Sequence, residues 1–197
     1  MTPRFELICG CMSSAKTTTL ISKAFQFKSI DKSVLCLSPT IDTRTTKLIS
    51  KDALLSIECC KVDTLCETLA LCCAHDVVLV DEAQFFADVV EFLNKLQQCA
   101  FQGTVILSAL LGDSSMKRWP SMDDVMPMMD HIQFLTAYCA VCKDGTPAPF
   151  SKCLVPKDSP ILIGGENAYI SVCRRHFLPT PLAVAQEPRP LYSGTSL

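Results

Sequence analysis

The stretch RFELIC-GCMSSAKT, Arg4 to Thr17, decides the fold. Arg4 to Cys9 is short, apolar and runs straight into Gly10, which is the pattern of a buried strand. Lys16 opens a segment reaching Ile30 in which Leu20, Ile21, Ala24, Phe25 and Phe27 recur at helical spacing. Between strand and helix lies Gly10-Cys11-Met12-Ser13-Ser14-Ala15-Lys16-Thr17, close to the phosphate-loop pattern G-x-x-x-x-G-K-[ST]. In such a loop, backbone N–H groups at a helix N-terminus cradle phosphate oxygens. Lys16 would then reach the β- and γ-phosphates of ATP, and Thr17 would hold Mg²⁺. Ala15 stands where the pattern has glycine. Alanine suits that position if φ is negative and is strained if φ is positive.

Working outward, Ser33–Leu37, a weaker run around Ser56–Val62, Val77–Val80 and Thr104–Ala109 read as further strands. Asp63–Cys73, with Asp63 as its cap, and Ala87–Ala100 read as helices. Strands alternating with helices imply parallel pairing through right-handed crossovers. The strands are near-continuous apolar runs, as in a sheet covered on both faces. The expected fold is therefore α/β: a P-loop parallel sheet flanked by helices. Asp81-Glu82 follows the VVLV strand directly. Ligands of open α/β sheets bind at that edge, and a carboxylate there is the usual second Mg²⁺ anchor beside a phosphate loop. Asp81 would hold the metal through water, and Glu82 would take a proton from the acceptor. The bland alternative is a helix-capping acid with a solvated neighbour.

With 197 residues, the chain suits one domain, or one with a small appendage. Its net charge of −2 and scattered Lys/Arg show no basic stripe, so a nucleic-acid partner is not expected. Many of the 13 cysteines sit inside apolar runs, where a free thiol acts as a small hydrophobe. No signal-peptide pattern and no apolar run of transmembrane length is present. The expectation is a cytoplasmic, reducing setting without a membrane partner.

After about Thr136 the pattern changes to close cysteines, short apolar pieces and turn residues. Cys139-Ala-Val-Cys142 and Cys173-Arg-Arg-His176 are two C-x-x-C/H knuckles, the spacing of a closed structural Zn²⁺ site of Cys₃His type. The alternative is two unrelated pairs of buried cysteines and a surface histidine. The expected organisation is an ATP-binding P-loop domain over 1–137, a small zinc-binding domain over 138–178, and a disordered, proline-rich tail over 179–197.

These features, in this order, resemble the zinc-containing thymidine kinases. The most specific pieces are DEAQFF (Asp81 to Phe86) and GGENAYISVCRRH (Gly164 to His176), with Asp42-Thr43-Arg44 matching the family's D-T-R. The resemblance implies transfer of the ATP γ-phosphoryl group to the 5′-hydroxyl of thymidine, with Glu82 as general base. It implies that Asp42 assists Mg²⁺ through water. It implies that Met12, Phe85 and Tyr169 line the nucleoside pocket, and that main-chain groups near Leu162 and Ile163 read the base. It also implies that the zinc domain carries a lasso loop and that the chain is a homo-oligomer, a tetramer or dimer. Three positions depart from the family: Ala15 in the loop, His176 for the fourth cysteine, and Ala109 to Ser114 for A-L-D-G-T-F. Two rival readings are a nucleic-acid-dependent ATPase, since Asp-Glu-Ala-Gln resembles a helicase metal motif, and a binding protein without turnover. Helicase motors use two ATPase lobes, and this chain has the length for one.

Overall fold

The computed structural model describes residues 2–42, 47–50, 54–99, 101–154 and 168–178. Strand β1 (Arg4–Gly10) leads through the loop to helix α1 (Lys16–Lys28), then β2 (Val34–Pro39). A hairpin of β3 (Lys47–Ile49) and β4 (Ser56–Glu58) precedes β5 (Cys60–Val62). Then come α2 (Leu69–Cys73), β6 (Val77–Val80), α3 (Val89–Gln98), β7 (Thr104–Leu110), α4 (Pro120–Val125) and β8 (His131–Leu135). The central sheet runs β5-β2-β6-β7-β1-β8, and every pairing in it is parallel. The expected α/β architecture is thus present, extended at one edge by β8.

Both faces of the sheet are packed. On one side Leu20, Ile21 and Ala24 of α1 meet Ile8, Cys36, Leu79 and Ile106. On the other, Val89, Phe92, Leu93 and Leu96 of α3 meet Leu7, Val78, Val80 and Leu107. The α3 residues sit at i, i+3, i+4 and i+7, one helical face. Burying each such side chain contributes about 1.5–3 kcal/mol. Among the described residues no helix is long and apolar enough to cross a membrane.

One expected element differs. The helix expected over Asp63–Cys73 is a 3-10 turn at Cys66–Thr68 followed by the short α2. Asp63 does not cap it; its carboxylate accepts a hydrogen bond from the Thr40 hydroxyl. The N–H of Cys66 is instead satisfied by Asp88 Oδ2, 2.8 Å away and 22 residues along the chain. A tertiary carboxylate has replaced the local one. For the same reason α3 begins at Val89 with no side-chain cap from Asp88.

After β8 the chain forms two small antiparallel ribbons, β9 (Ala137–Tyr138) with β10 (Pro147–Ala148), and β11 (Phe150–Cys153) with β12 (Tyr169–Val172). They end in the single turn α5 (Arg174–Phe177). Their apolar centre is small: Cys139, Ala148 and Val172, with Ala137, Cys142, Phe150, Ile170, Cys173 and Phe177 packed around it. Residues 179–197, expected to form a tail, lie outside the described residues.

Candidate active site and metal centre

The C-terminal ends of β1, β2, β6 and β7 share one edge of the sheet, and the expected site residues from Gly10 to Glu82 collect there. Gly10 ends β1 where the main chain of β8 passes close by. A Cβ on it would lie 2.3 Å from the Leu135 carbonyl oxygen, so only glycine fits. The loop then takes two left-handed residues, Ser13 at φ 55° and Ala15 at φ 64°. Ala15 is therefore the strained case of the two foreseen, at about 1–2 kcal/mol for an L-residue in that region. Within the loop, the Ser14 hydroxyl and the Lys16 ammonium both donate to the Cys11 carbonyl, at 2.8 and 2.7 Å.

Lys16 is buried, and desolvation pushes its pKa down, opposed by the nearby carboxylates of Glu82 and Asp81. Thr17 Oγ1 donates to Asp81 Oδ2 at 3.3 Å, joining the start of α1 to the end of β6. Asp42, buried beyond β2, accepts from Lys61 of β5, whose Nζ is 2.6 Å from its carbonyl oxygen and 3.7 Å from Oδ2. The Thr17 hydroxyl and the Asp81 and Glu82 carboxylates beside Lys16 form a hard-oxygen donor set, which suits Mg²⁺ rather than a softer metal.

Glu82 also sits in the left-handed region, at φ 52°. Gln84 Nε2 donates to Glu82 Oε2 at 2.6 Å, while its own Oε1 accepts the Leu110 N–H at 3.0 Å. A backbone N–H can only donate, so the amide is oriented with its NH₂ toward Glu82. Phe85 closes the following 3-10 turn and meets Trp119 edge-on, with ring centroids 5.6 Å apart. Tyr169 opens β12, two residues from Ser171 and so on the same strand face. Ser171 donates to the Met12 carbonyl, which brings that face to the phosphate loop. Leu162, Ile163, Thr43 and Arg44 lie outside the described residues.

Lys61, Gln84, Trp119 and Ser171 were missed in the sequence. Lys61, Trp119 and Ser171 act through partners far along the chain, and Gln84 joins near Glu82 to distant Leu110, so no local spacing signals them. Gln84 and Ser171 carry a hint, standing inside DEAQFF and GGENAYISVCRRH.

The two knuckles meet. The thiol sulfurs of Cys139, Cys142 and Cys173 and Nδ1 of His176 lie within 4.8 Å of one another. His176 Nδ1 is 3.5, 3.3 and 3.3 Å from the three sulfurs in that order, and Cys142 Sγ is 3.8 Å from Cys173 Sγ. Tetrahedral zinc, with bonds of about 2.3 Å to sulfur and 2.0 Å to nitrogen, sets its ligand atoms roughly 3.5–3.8 Å apart. The donor set fits that ion in chemistry and in spacing. Burial pushes the Cys139 thiol up, but N–H groups of Cys142, Cys173 and Val141 and the His176 ring outweigh it, taking its pKa down to about 5. That favours the thiolate at Cys139, whereas burial and the adjoining Cys139 and Cys173 thiols push Cys142 up to about 11.

Comparison with known proteins agrees with this arrangement. The family model described as thymidine kinase matches residues 4–177. Thymidine kinase 1 of Dictyostelium discoideum is 37% identical over 180 residues, covering 87% of this chain and 76% of that protein. Thymidine kinase of a Rhodothermus species is 32% identical over 198 residues, covering 94% and 91%. Thymidine kinase of Variola virus is 32% identical over 175 residues, covering 88% and 96%. With the phosphate loop, the carboxylate edge and the cysteine knuckles in one chain, the conclusion is that this protein belongs to the thymidine kinase family.

Proposed function

We propose that the protein is an ATP-dependent thymidine kinase that transfers the γ-phosphoryl group to the 5′-hydroxyl of thymidine, giving dTMP. The observation that carries this reading is the convergence of Lys16, Thr17, Asp81 and Glu82 at one sheet edge, linked by the Thr17–Asp81 contact. Lys16 would leave the Cys11 carbonyl for the β- and γ-phosphates. Thr17 and Asp81 would hold Mg²⁺, with Asp42 reaching it through water. The ion, when bound, neutralises charge on the transferring group. The transition state is loose, so positioning and charge dominate, and Glu82 needs only to accept the hydroxyl proton late. Its left-handed backbone and its bond from Gln84 support that role, since strain is tolerated where it aims a working group. Met12, Phe85 and Tyr169 would enclose the nucleoside, with Trp119 backing Phe85, and the main chain at Leu162 and Ile163 would read the base.

The same reading divides the chain at 137/138. The first part is the nucleotide domain, and the segment to residue 178 is a nucleoside clamp stapled by structural Zn²⁺ on Cys139, Cys142, Cys173 and His176. It also takes the protein to be cytoplasmic and a homo-oligomer, dimer or tetramer. The exposed Ile132 and Phe134 on the edge strand β8 support the latter. The test is product analysis with ATP, Mg²⁺ and each nucleoside. Formation of dTMP, with a much lower kcat/KM for purine nucleosides, is expected. ATP hydrolysis stimulated by nucleic acid, with no nucleoside phosphorylated, would overturn the reading.

A further inference from the structure

The phosphate loop is held by the knuckle segment as well as by its own strand and helix. Ser151 of β11 and Ser171 of β12 are directly opposite in the register of that ribbon, and both are buried. Residues opposite one another project from the same face. Both hydroxyls end on the peptide groups of Met12: the Met12 N–H donates to Ser151 Oγ at 2.9 Å, and Ser171 Oγ donates to the Met12 carbonyl. One residue earlier, the Cys11 thiol donates to the Ala148 carbonyl at 2.9 Å. The ribbon thus grips Met12 as a neighbouring strand would, with side chains supplying the ladder. These contacts span 137 to 159 residues of sequence.

The same ribbon is anchored to the metal ligands. The N–H of Ala140, inside the first knuckle, donates to the Ser171 carbonyl at 3.0 Å. Cys173 is two residues beyond Ser171, and its N–H donates to Cys139 Sγ at 3.3 Å. Lys152, next to Ser151, donates to the His176 carbonyl at 2.7 Å. Three of the four ligands, Cys139, Cys173 and His176, are therefore one or two links from Ser151 or Ser171, and Cys142 joins them through the site itself. The apolar core of the ribbons is too small to hold them in register by itself.

We propose that Ser151 and Ser171 are positioning residues for the phosphate loop, and that through them the Cys₃His metal site sets affinity for ATP as well as for nucleoside. The idea rests on the kinase reading, in which the loop from Gly10 to Thr17 receives the triphosphate. A metal that served only to staple the nucleoside clamp would leave ATP binding alone. Here the two hydroxyls fix where the Met12 peptide lies, and hence the path by which the chain enters the turn with left-handed Ser13 and Ala15.

The experiment is calorimetric titration of the full chain with Mg²⁺·ATP, without nucleoside, alongside metal analysis of each sample. Ser151→Ala with Ser171→Ala should retain zinc and weaken ATP binding roughly tenfold, each lost hydrogen bond being worth about two- to tenfold. Ser151→Thr and Ser171→Thr keep the hydroxyl and should bind ATP within about threefold of wild type. Removing zinc from wild type by chelation should weaken ATP binding by a similar factor, and removing it from the double alanine variant should add little. Wild-type ATP affinity in the zinc-retaining alanine variant would overturn the proposal. So would equal losses on chelation in both proteins, because the coupling would then run by another route. If wild type with zinc binds no ATP at all, the kinase reading itself fails, an outcome distinct from either of these.

Discussion

At the scale of single residues, Glu82 and Ala15 both stand on left-handed backbone, for different reasons. Glu82 does so at the C-terminal edge of the sheet, where Gln84 donates to its carboxylate. Glu82→Gln keeps the size of the side chain but cannot accept a proton. In a thymidine-dependent dTMP assay its kcat should fall by roughly 10²–10⁴-fold, the contribution of a positioned general base, with little change in KM. Turnover within a few-fold of wild type would remove Glu82 from the mechanism. Gln84→Leu should show a smaller loss of kcat together with lower stability. It removes the bond from Gln84 to Glu82 and also leaves the Leu110 N–H without its acceptor, at a cost of about 1–3 kcal/mol if that group stays buried. Ala15 shares that conformation, and nothing in its side chain uses it. Ala15→Gly relieves strain of about 1–2 kcal/mol and loses part of that to the greater freedom of the unfolded chain. Melting should rise by roughly 1–3 °C. Ala15→Val, β-branched in the same conformation, should melt below wild type.

At the scale of elements, the parts legible in the sequence are those whose signal is local. The apolar run of β1, the loop and the spacing of α1 lie within 25 residues and appear as read, as do β6 with its two acids. The knuckles are likewise two short spacings, and their meeting needs only one shared metal. What was not legible depends on long-range partners. Asp63 looked like a helix cap, but Asp88 supplies that bond from another element. The segment His131–Leu135 was not read as a strand; it forms the edge strand β8, whose register on β1 is set by tertiary packing. A comparable long-range tie joins the start of β2 to that of β6. Asp76 accepts from the Ser33 hydroxyl at 2.7 Å, the Ser33 N–H at 2.9 Å and Lys32 at 3.0 Å, and these bonds take its pKa down to about 2. The folded value lies below the unfolded value of about 3.9. The stabilisation is therefore fully present above about pH 4 and is lost as pH falls toward 2. Asp76→Asn should lower the melting temperature at pH 7, and the gap to wild type should close between about pH 4 and pH 2. A gap unchanged at pH 2 would show that shape, not charge, is what Asp76 contributes.

At the scale of the whole molecule, two very unequal cores are joined by a few polar contacts. The sheet and its helices bury two broad clusters, one of which alone holds Phe86, Phe92, Leu7, Leu93 and Leu107. The ribbons after β8 bury little more than Cys139, Ala148 and Val172, with Phe150 and Phe177 tilted together at 5.4 Å. A core of that size offsets little of the entropy of ordering its chain, and a metal held by the Cys₃His cluster would supply the difference. Binding of a structural metal that does not bind the unfolded chain adds directly to stability, and the metal's loss should melt the ribbons selectively. Cys173→Ser removes one sulfur ligand and leaves the backbone bond from Cys173 N–H to Cys139 Sγ in place. The wild-type protein should purify with one zinc per chain and the variant with far less. Limited proteolysis of the variant, or of wild type after chelation, should then cut first between residues 138 and 178. The far-UV signal of the parallel sheet should persist, because neither large cluster contains a knuckle ligand. Restoring zinc to chelated wild type should restore protection, whereas the variant should stay cleavable. If metal-free wild type resists the protease as the zinc form does, the ribbons hold themselves together and the metal has no structural share in them.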